Sequence, residues 1–85
     1  MSAPATQDAS PNRRQEESER KRRRILDAAQ ACLGESGYAG ATVTEIARRA
    51  GVSNGLLYQF FRNKEALVAQ VLEEIVRDWV RAMVP

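Results

Sequence analysis

An all-α fold is predicted for this chain of 85 residues: a three-helix helix-turn-helix domain followed by the start of a long fourth helix. Three observations predict it. N-cap signals at Thr42, Ser53 and Asn63 fall within about twenty residues of one another. Gly51 stands between two apolar runs, where a left-handed residue ends one helix and opens a tight turn. Ile46, Ala50, Val52, Leu57 and Phe60 recur at the spacing by which two short helices, crossing on such a turn, share a core.

The elements follow in chain order. Met1 to Asn12 has no apolar periodicity and reads as disordered. From Arg13 the chain turns charged and helix-compatible. Ser18 is a candidate N-cap for the first helix, with Glu16, Glu17 and Glu19 near its start, where the helix dipole favours acids. That helix is expected to bury Ile25, Ala28, Ala29, Cys32 and Leu33. Thr42 and Glu45 make a T-x-x-E capping box for the second helix, and Ala47 supplies the small residue at the crossing. Ser53 caps the third, which turns Leu57, Phe60 and Phe61 inward. Asn63 caps the fourth, beginning at Lys64. The expected boundaries are a disordered extension at 1–17, a helix-turn-helix domain at 18–67 and a fourth helix at 68–85.

The apolar residues of the fourth helix run from Leu67 and Val68 through Val71, Leu72, Ile75 and Val76 to Trp79, Val80 and Met83. At 100° per residue they cover more than half the circumference. The early ones can roof the helix-turn-helix. Trp79, Val80 and Met83 find little left to pack against, and an exposed apolar stripe marks an interface.

The exposed side of the third helix decides the functional expectation. It presents Asn54, Gly55, Tyr58 and Gln59, with Ser53 at the cap. Such a face is short, uncharged and rich in hydrogen-bonding groups, as a helix that reads the DNA major groove requires. Gly55 fits close backbone approach to DNA, or is merely tolerated in a first turn. Asn54 and Gln59 suit base edges, adenine above all, or stay solvated amides. Tyr58 aims a hydroxyl at a phosphate oxygen. Leu56 meets a thymine methyl or the edge of the core. Lys64 opposes the dipole of the helix it opens, which argues for an anionic ligand there, and phosphate is the natural one. Thr42 and Thr44 offer hydroxyls and amides to a phosphate of the other strand.

Charge adds a second element. Residues 1–24 hold seven Arg or Lys against four acids, and residues 25–85 hold six against seven. The surplus therefore lies ahead of the motif. Arg20, Lys21, Arg22, Arg23 and Arg24 read as a basic arm that meets backbone or minor groove beside the reading helix, or as a solvated end. With no histidine and one cysteine, metal-ligand sets and thiol–imidazole pairs are excluded, so no enzyme, metal or cofactor is expected. Cys32 reads as a small core residue. No secretory segment or membrane span is legible, and a cytoplasmic protein is expected.

The pattern G-A-T-V-T-E-I-A-x-x-A-G-V-S-N-G-L-L-Y-x-x-F-x-N-K-E-A-L, preceded by R-R-I-L-D-A-A-Q-A-C-L-G-E-S-G-Y, resembles the N-terminal domain of the tetracycline-repressor (TetR) family of transcriptional regulators. The resemblance covers about residues 21–70. It implies three helices around the helix-turn-helix, a long fourth helix, and homodimers that bind palindromic double-stranded DNA operators. It further implies repression relieved by a small molecule in a C-terminal helical domain outside this chain, which alone would be a monomer or weak dimer. By motif position the implied DNA contacts are Thr42, Thr44, Ser53, Asn54, Gly55, Leu56, Tyr58, Gln59 and Lys64. The chain departs from the pattern at Phe60, where many members have histidine, and at Leu56, where threonine is frequent.

A second class of function also fits part of the chain. A helical module binding a protein or an anionic membrane surface would use the basic arm and the apolar fourth helix. It leaves the face bearing Tyr58 and Gln59 without a purpose.

Overall fold

The computed structural model describes residues 11–83, which form four helices and no strand: α1 (Pro11–Gly40), α2 (Val43–Ala50), α3 (Asn54–Phe60) and α4 (Lys64–Met83). The long α1 packs against α2 and α4, and α2 against α3. Its residues Ile25, Leu26, Ala28, Ala29 and Cys32 are buried together with Ile46, Ala47 and Ala50 of α2, Leu57 of α3, and Leu67 and Val71 of α4. Ala41 and Phe61 close this core from the connections.

Helix α1 begins earlier than the sequence suggests. It starts at Pro11, so Ser18 lies inside it and caps nothing, and the segment 11–17 belongs to the helix. The cause is local. Proline is pre-set for a first helical turn, and Arg, Gln, Glu and Lys fill the following turns with good helix formers. Residues 1–10, for which disorder is expected, lie outside the described residues. The helix breaks at Gly37, whose φ of 75° and ψ of 180° suit glycine alone. The turn that follows is closed by hydrogen bonds from the Ala41 amide to the carbonyls of Gly37 and Tyr38.

The caps of the next three helices match their sequence signals. Thr42 Oγ1 accepts from the Glu45 amide at 3.1 Å, Ser53 Oγ from that of Leu56 at 3.0 Å, and Asn63 Oδ1 from that of Ala66 at 2.8 Å. Gly51 sits at φ 75°, ψ 31°, its amide turned back to the carbonyls of Ala47 and Arg48, while the Val52 amide reaches Ala47. A side chain at that position costs about 1–2 kcal/mol, which accounts for the glycine. Ala47, 1% exposed, allows α2 to lie close against its neighbours.

Two expectations change in detail. Phe60 is only half-buried, whereas Phe61 reaches the core from the extended backbone that ends α3, at φ −135° and ψ 124°. Phe61 thus lies in the core as expected, and only the inward turn of Phe60 falls short. The capping box is also half-made. Instead of turning back to Thr42, the Glu45 carboxylate accepts from Arg48 and Arg49, and Arg49 reaches across to Glu35 on α1.

These two arginines hold the Glu45 carboxyl down at about 2, and Arg49 lowers that of Glu35 as well. A depressed carboxyl adds stability above its ordinary pKa and loses it as pH falls through the folded value. The thermal midpoint is therefore expected to fall between about pH 4.5 and 2. Glu45→Gln should lower the midpoint at neutral pH and flatten that acid limb; an unchanged limb counts against the ion pairs. All partners are solvent-facing, so high salt should shrink the effect.

The outer stripe of α4 stays uncovered. Leu67 and Val71 face the core and Ile75 packs against its edge, but Leu72, Val76, Trp79, Val80 and Met83 are all more than half exposed. Leu72, Val76, Trp79 and Met83 are spaced four, three and four apart, the rhythm with which one helix accepts another.

Candidate nucleic-acid interface

Helix α3 is short, and its placement rests on Leu57, which is fully buried. With Leu57 turned inward, a 3.6-residue period sends Gly55 and Gln59 to the opposite side, Asn54 and Tyr58 to one flank, and Leu56 and Phe60 to the other. The exposures agree. Asn54, Gly55, Tyr58 and Gln59 are exposed, whereas Leu56 and Phe60 are half-buried.

Gly55 has no internal reason to be glycine. Its φ is not positive, and an added Cβ would meet only Ser53 Oγ at 3.9 Å. The surface above it is open backbone, free for another molecule to approach.

The first turn of α2 meets the start of α3. Asn54 Nδ2 donates to Thr44 Oγ1 at 3.2 Å, which brings Thr44, Asn54 and the Ser53 cap together. Thr42 and Ser53 use an oxygen lone pair for capping, and each hydroxyl keeps a proton to donate elsewhere. The Thr44 hydroxyl is in the same state, since it accepts from Asn54. Tyr58, 48% exposed, and Gln59 have no side-chain hydrogen-bond partner among the described residues.

Lys64 joins this group from α4. Its ammonium donates to the Tyr38 carbonyl and stands 4.2 Å from the centroid of the Tyr38 ring. The same carbonyl accepts from the Ala41 amide, so Lys64 stands beside the turn that leads into Thr42. A lysine at the start of α4 thus has an internal partner, and its conflict with the helix dipole is not in itself a sign of a ligand.

The fold gives the residues of the basic arm different surroundings. Arg20 to Arg24 lie on continuous helix, whose turn sends neighbouring side chains in different directions. Arg23 makes a bidentate pair with Glu74 of α4, at 2.7 and 3.2 Å, and also bonds Asp27. That pairing raises the Arg23 pKa and lowers that of Glu74. Arg24 donates to the Ala50 carbonyl at the end of α2, and Arg22 lies 5.5 Å from the centroid of the Phe61 ring. Three of the five cations therefore tie α1 to the domain. Arg20 is exposed and Lys21 half-buried.

Tyr38 was not legible as a member of this surface. It is 48% exposed, and its hydroxyl donates to Glu65 Oε2 at 3.0 Å, which raises its pKa. No local spacing announces contacts made across 26 and 27 residues of chain. The one hint is the glycine before it.

The family profile described as bacterial regulatory proteins, tetR family, matches residues 25–71, the stretch from the first buried residue of α1 to the last of α4. The fatty acid metabolism regulator protein of Bacillus subtilis (strain 168) is 36% identical over 59 residues, covering 69% of this chain and 30% of that protein. The HTH-type transcriptional regulator BetI of Escherichia coli (strain K12 / DH10B) is 40% identical over 55 residues, covering 65% of this chain and 28% of that protein. The chain spans less than a third of the length of these relatives.

Proposed function

Because this chain belongs to the tetR family of bacterial regulatory proteins, its helix-turn-helix being the DNA-binding domain of a transcriptional regulator, we propose that α3 reads the major groove of a palindromic operator as one half of a homodimer. The observation that carries this reading is the outer face of α3, where Gly55, Tyr58 and Gln59 stand free of internal duties while Leu57 anchors the helix from behind. Asn54 and Gln59 address base edges, Gly55 admits close approach, and Leu56 lies against a thymine methyl. Thr42, Thr44, Ser53, Tyr58 and Lys64 bind phosphates on either side. Arg20 and Lys21 extend the contact along the backbone.

The regulator works as a repressor, on this proposal, and releases DNA when a small molecule occupies a separate helical domain. The uncovered stripe of α4 supports such a neighbour, since the spacing of Leu72, Val76, Trp79 and Met83 suits a packed helix. No helix among the described residues is long and apolar enough to cross a membrane. A protein- or membrane-binding module is not favoured, because Arg22, Arg23 and Arg24, which it would need, are engaged within the fold.

The test is a residue-resolved NMR titration with a short random-sequence duplex at moderate salt. A two-fold complex of about 1 nM is worth roughly 12 kcal/mol, so one half-site contributes about 6, or a Kd near 30 µM. Non-specific binding lies at about 1–100 µM. Fast-exchange shifts are expected at Thr42–Glu45 and Ser53–Lys64. Shifts confined to Arg13–Arg24 would reduce DNA binding to electrostatics of the helix start.

Gly55→Ala separates fold from function. Open space and ordinary helical backbone mean that the methyl should stabilise the domain by up to about 1 kcal/mol. It should also weaken duplex binding, because the methyl stands where α3 approaches the bases. A higher thermal midpoint with unchanged affinity would remove Gly55 from the interface.

A further inference from the structure

Tyr38 is an exposed side chain whose position burial does not explain. The Gly37 backbone turns the chain out of α1, and Tyr38 then stands half in solvent. It is nevertheless fixed at two points by consecutive residues of α4. Its hydroxyl bonds the Glu65 carboxylate, while its carbonyl and ring face receive the Lys64 ammonium.

We propose that Tyr38 is a positioning residue, which holds the Lys64 ammonium beside the entrance to α2 so that it meets a DNA phosphate already oriented. The inference rests on the assignment of Lys64 to the DNA interface made above. A lysine side chain has four rotatable carbons and loses much freedom when its ammonium is fixed by a ligand. Here that freedom is restricted before DNA arrives. The ammonium has three protons, and the Tyr38 carbonyl takes one, leaving two for phosphate oxygens. The ring stabilises the cation without neutralising it, unlike a carboxylate, so the full charge remains for the phosphate. The Tyr38 hydroxyl meanwhile engages the carboxylate of Glu65, the residue next to Lys64. One tyrosine therefore orients the cation and holds the neighbouring anion.

The test is a double-mutant cycle on the full chain with a random-sequence duplex, read by fluorescence anisotropy, with circular dichroism as the control for folding. Tyr38→Leu removes the ring face; Tyr38→Phe keeps ring and carbonyl and removes only the hydroxyl. Tyr38→Leu is expected to weaken binding roughly two- to fivefold, the range of an exposed cation–π contact. Tyr38→Phe should change it less than Tyr38→Leu does, and both should be silent in a Lys64→Ala background. The Lys64 ε-methylene protons should also lose their ring-current shift in Tyr38→Leu. Equal weakening with and without Lys64 would overturn the proposal and make Tyr38 a structural staple. So would a binding loss in Lys64→Ala with none in Tyr38→Leu. Wild-type affinity in Lys64→Ala would instead overturn the assignment of Lys64 to the interface.

Discussion

Leu57→Ala is expected to unfold most of the chain at room temperature. Leu57 is the one fully buried residue of α3, a helix of seven residues. A helix so short has no stability of its own in water, and Leu57 with the following Phe61 fastens it to the core. Removing a buried leucine side chain costs about 2–5 kcal/mol, through lost transfer energy and the cavity left behind. A core of this size supplies only about 3–5 kcal/mol in total. The loss therefore matches the whole stability, and urea titration followed by far-UV circular dichroism should show little native baseline. Leu72→Ala is the control. That residue is 54% exposed, and its truncation should stay within about 0.5 kcal/mol. A cooperative Leu57→Ala transition near the wild-type midpoint would mean that α3 is held by something other than this contact.

Tyr58→Ala should do the opposite, leaving the fold intact and removing much of the DNA affinity. The side chain is exposed, has no internal hydrogen-bond partner among the described residues, and sits on a helix where alanine is the better former. A hydrogen bond to a charged group contributes about 1.5–3 kcal/mol, so its loss weakens one half-site roughly ten- to hundredfold. In a two-fold complex the loss counts twice. Tyr58→Phe divides the effect. If the hydroxyl carries the contact, Phe and Ala weaken duplex binding alike; if Phe binds as wild type, ring packing carries it. Wild-type affinity in both variants would remove Tyr58 from the interface.

What the sequence made legible was whatever is local. Thr42, Ser53, Asn63 and Gly51 each act within four or five residues, and each performs the capping or turning role its residue type implies. The inward side of α3 followed from Leu57 and a 3.6-residue period. What escaped was long-range. Arg23 and Arg24 look like members of a uniform basic run, yet their partners Glu74 and Ala50 lie 51 and 26 residues away. Lys64 is another case, since its conflict with the dipole is resolved by a carbonyl of α1's exit. The start of α1 escaped for a different reason. A helix that protrudes beyond its core has no apolar period to mark it, and only Pro11 and strong formers betray it. Phe60 shows the limit of wheel arguments, since it lies on the inward half of α3 and is still only half-buried.

The uncovered stripe of α4 also gives the molecule an optical reporter. Trp79 is the only tryptophan of the chain and lies in water on that stripe, 66% exposed. Fifteen residues of helix, roughly 22 Å, separate it from Lys64. Its emission should therefore be long-wavelength in the free chain and indifferent to DNA bound at the opposite end. Anything laid along α4, whether a second copy or another helical domain, would exclude water from the indole and move its colour toward the blue. Coverage of one end and occupancy of the other can thus be followed at once in the same cuvette, without a label.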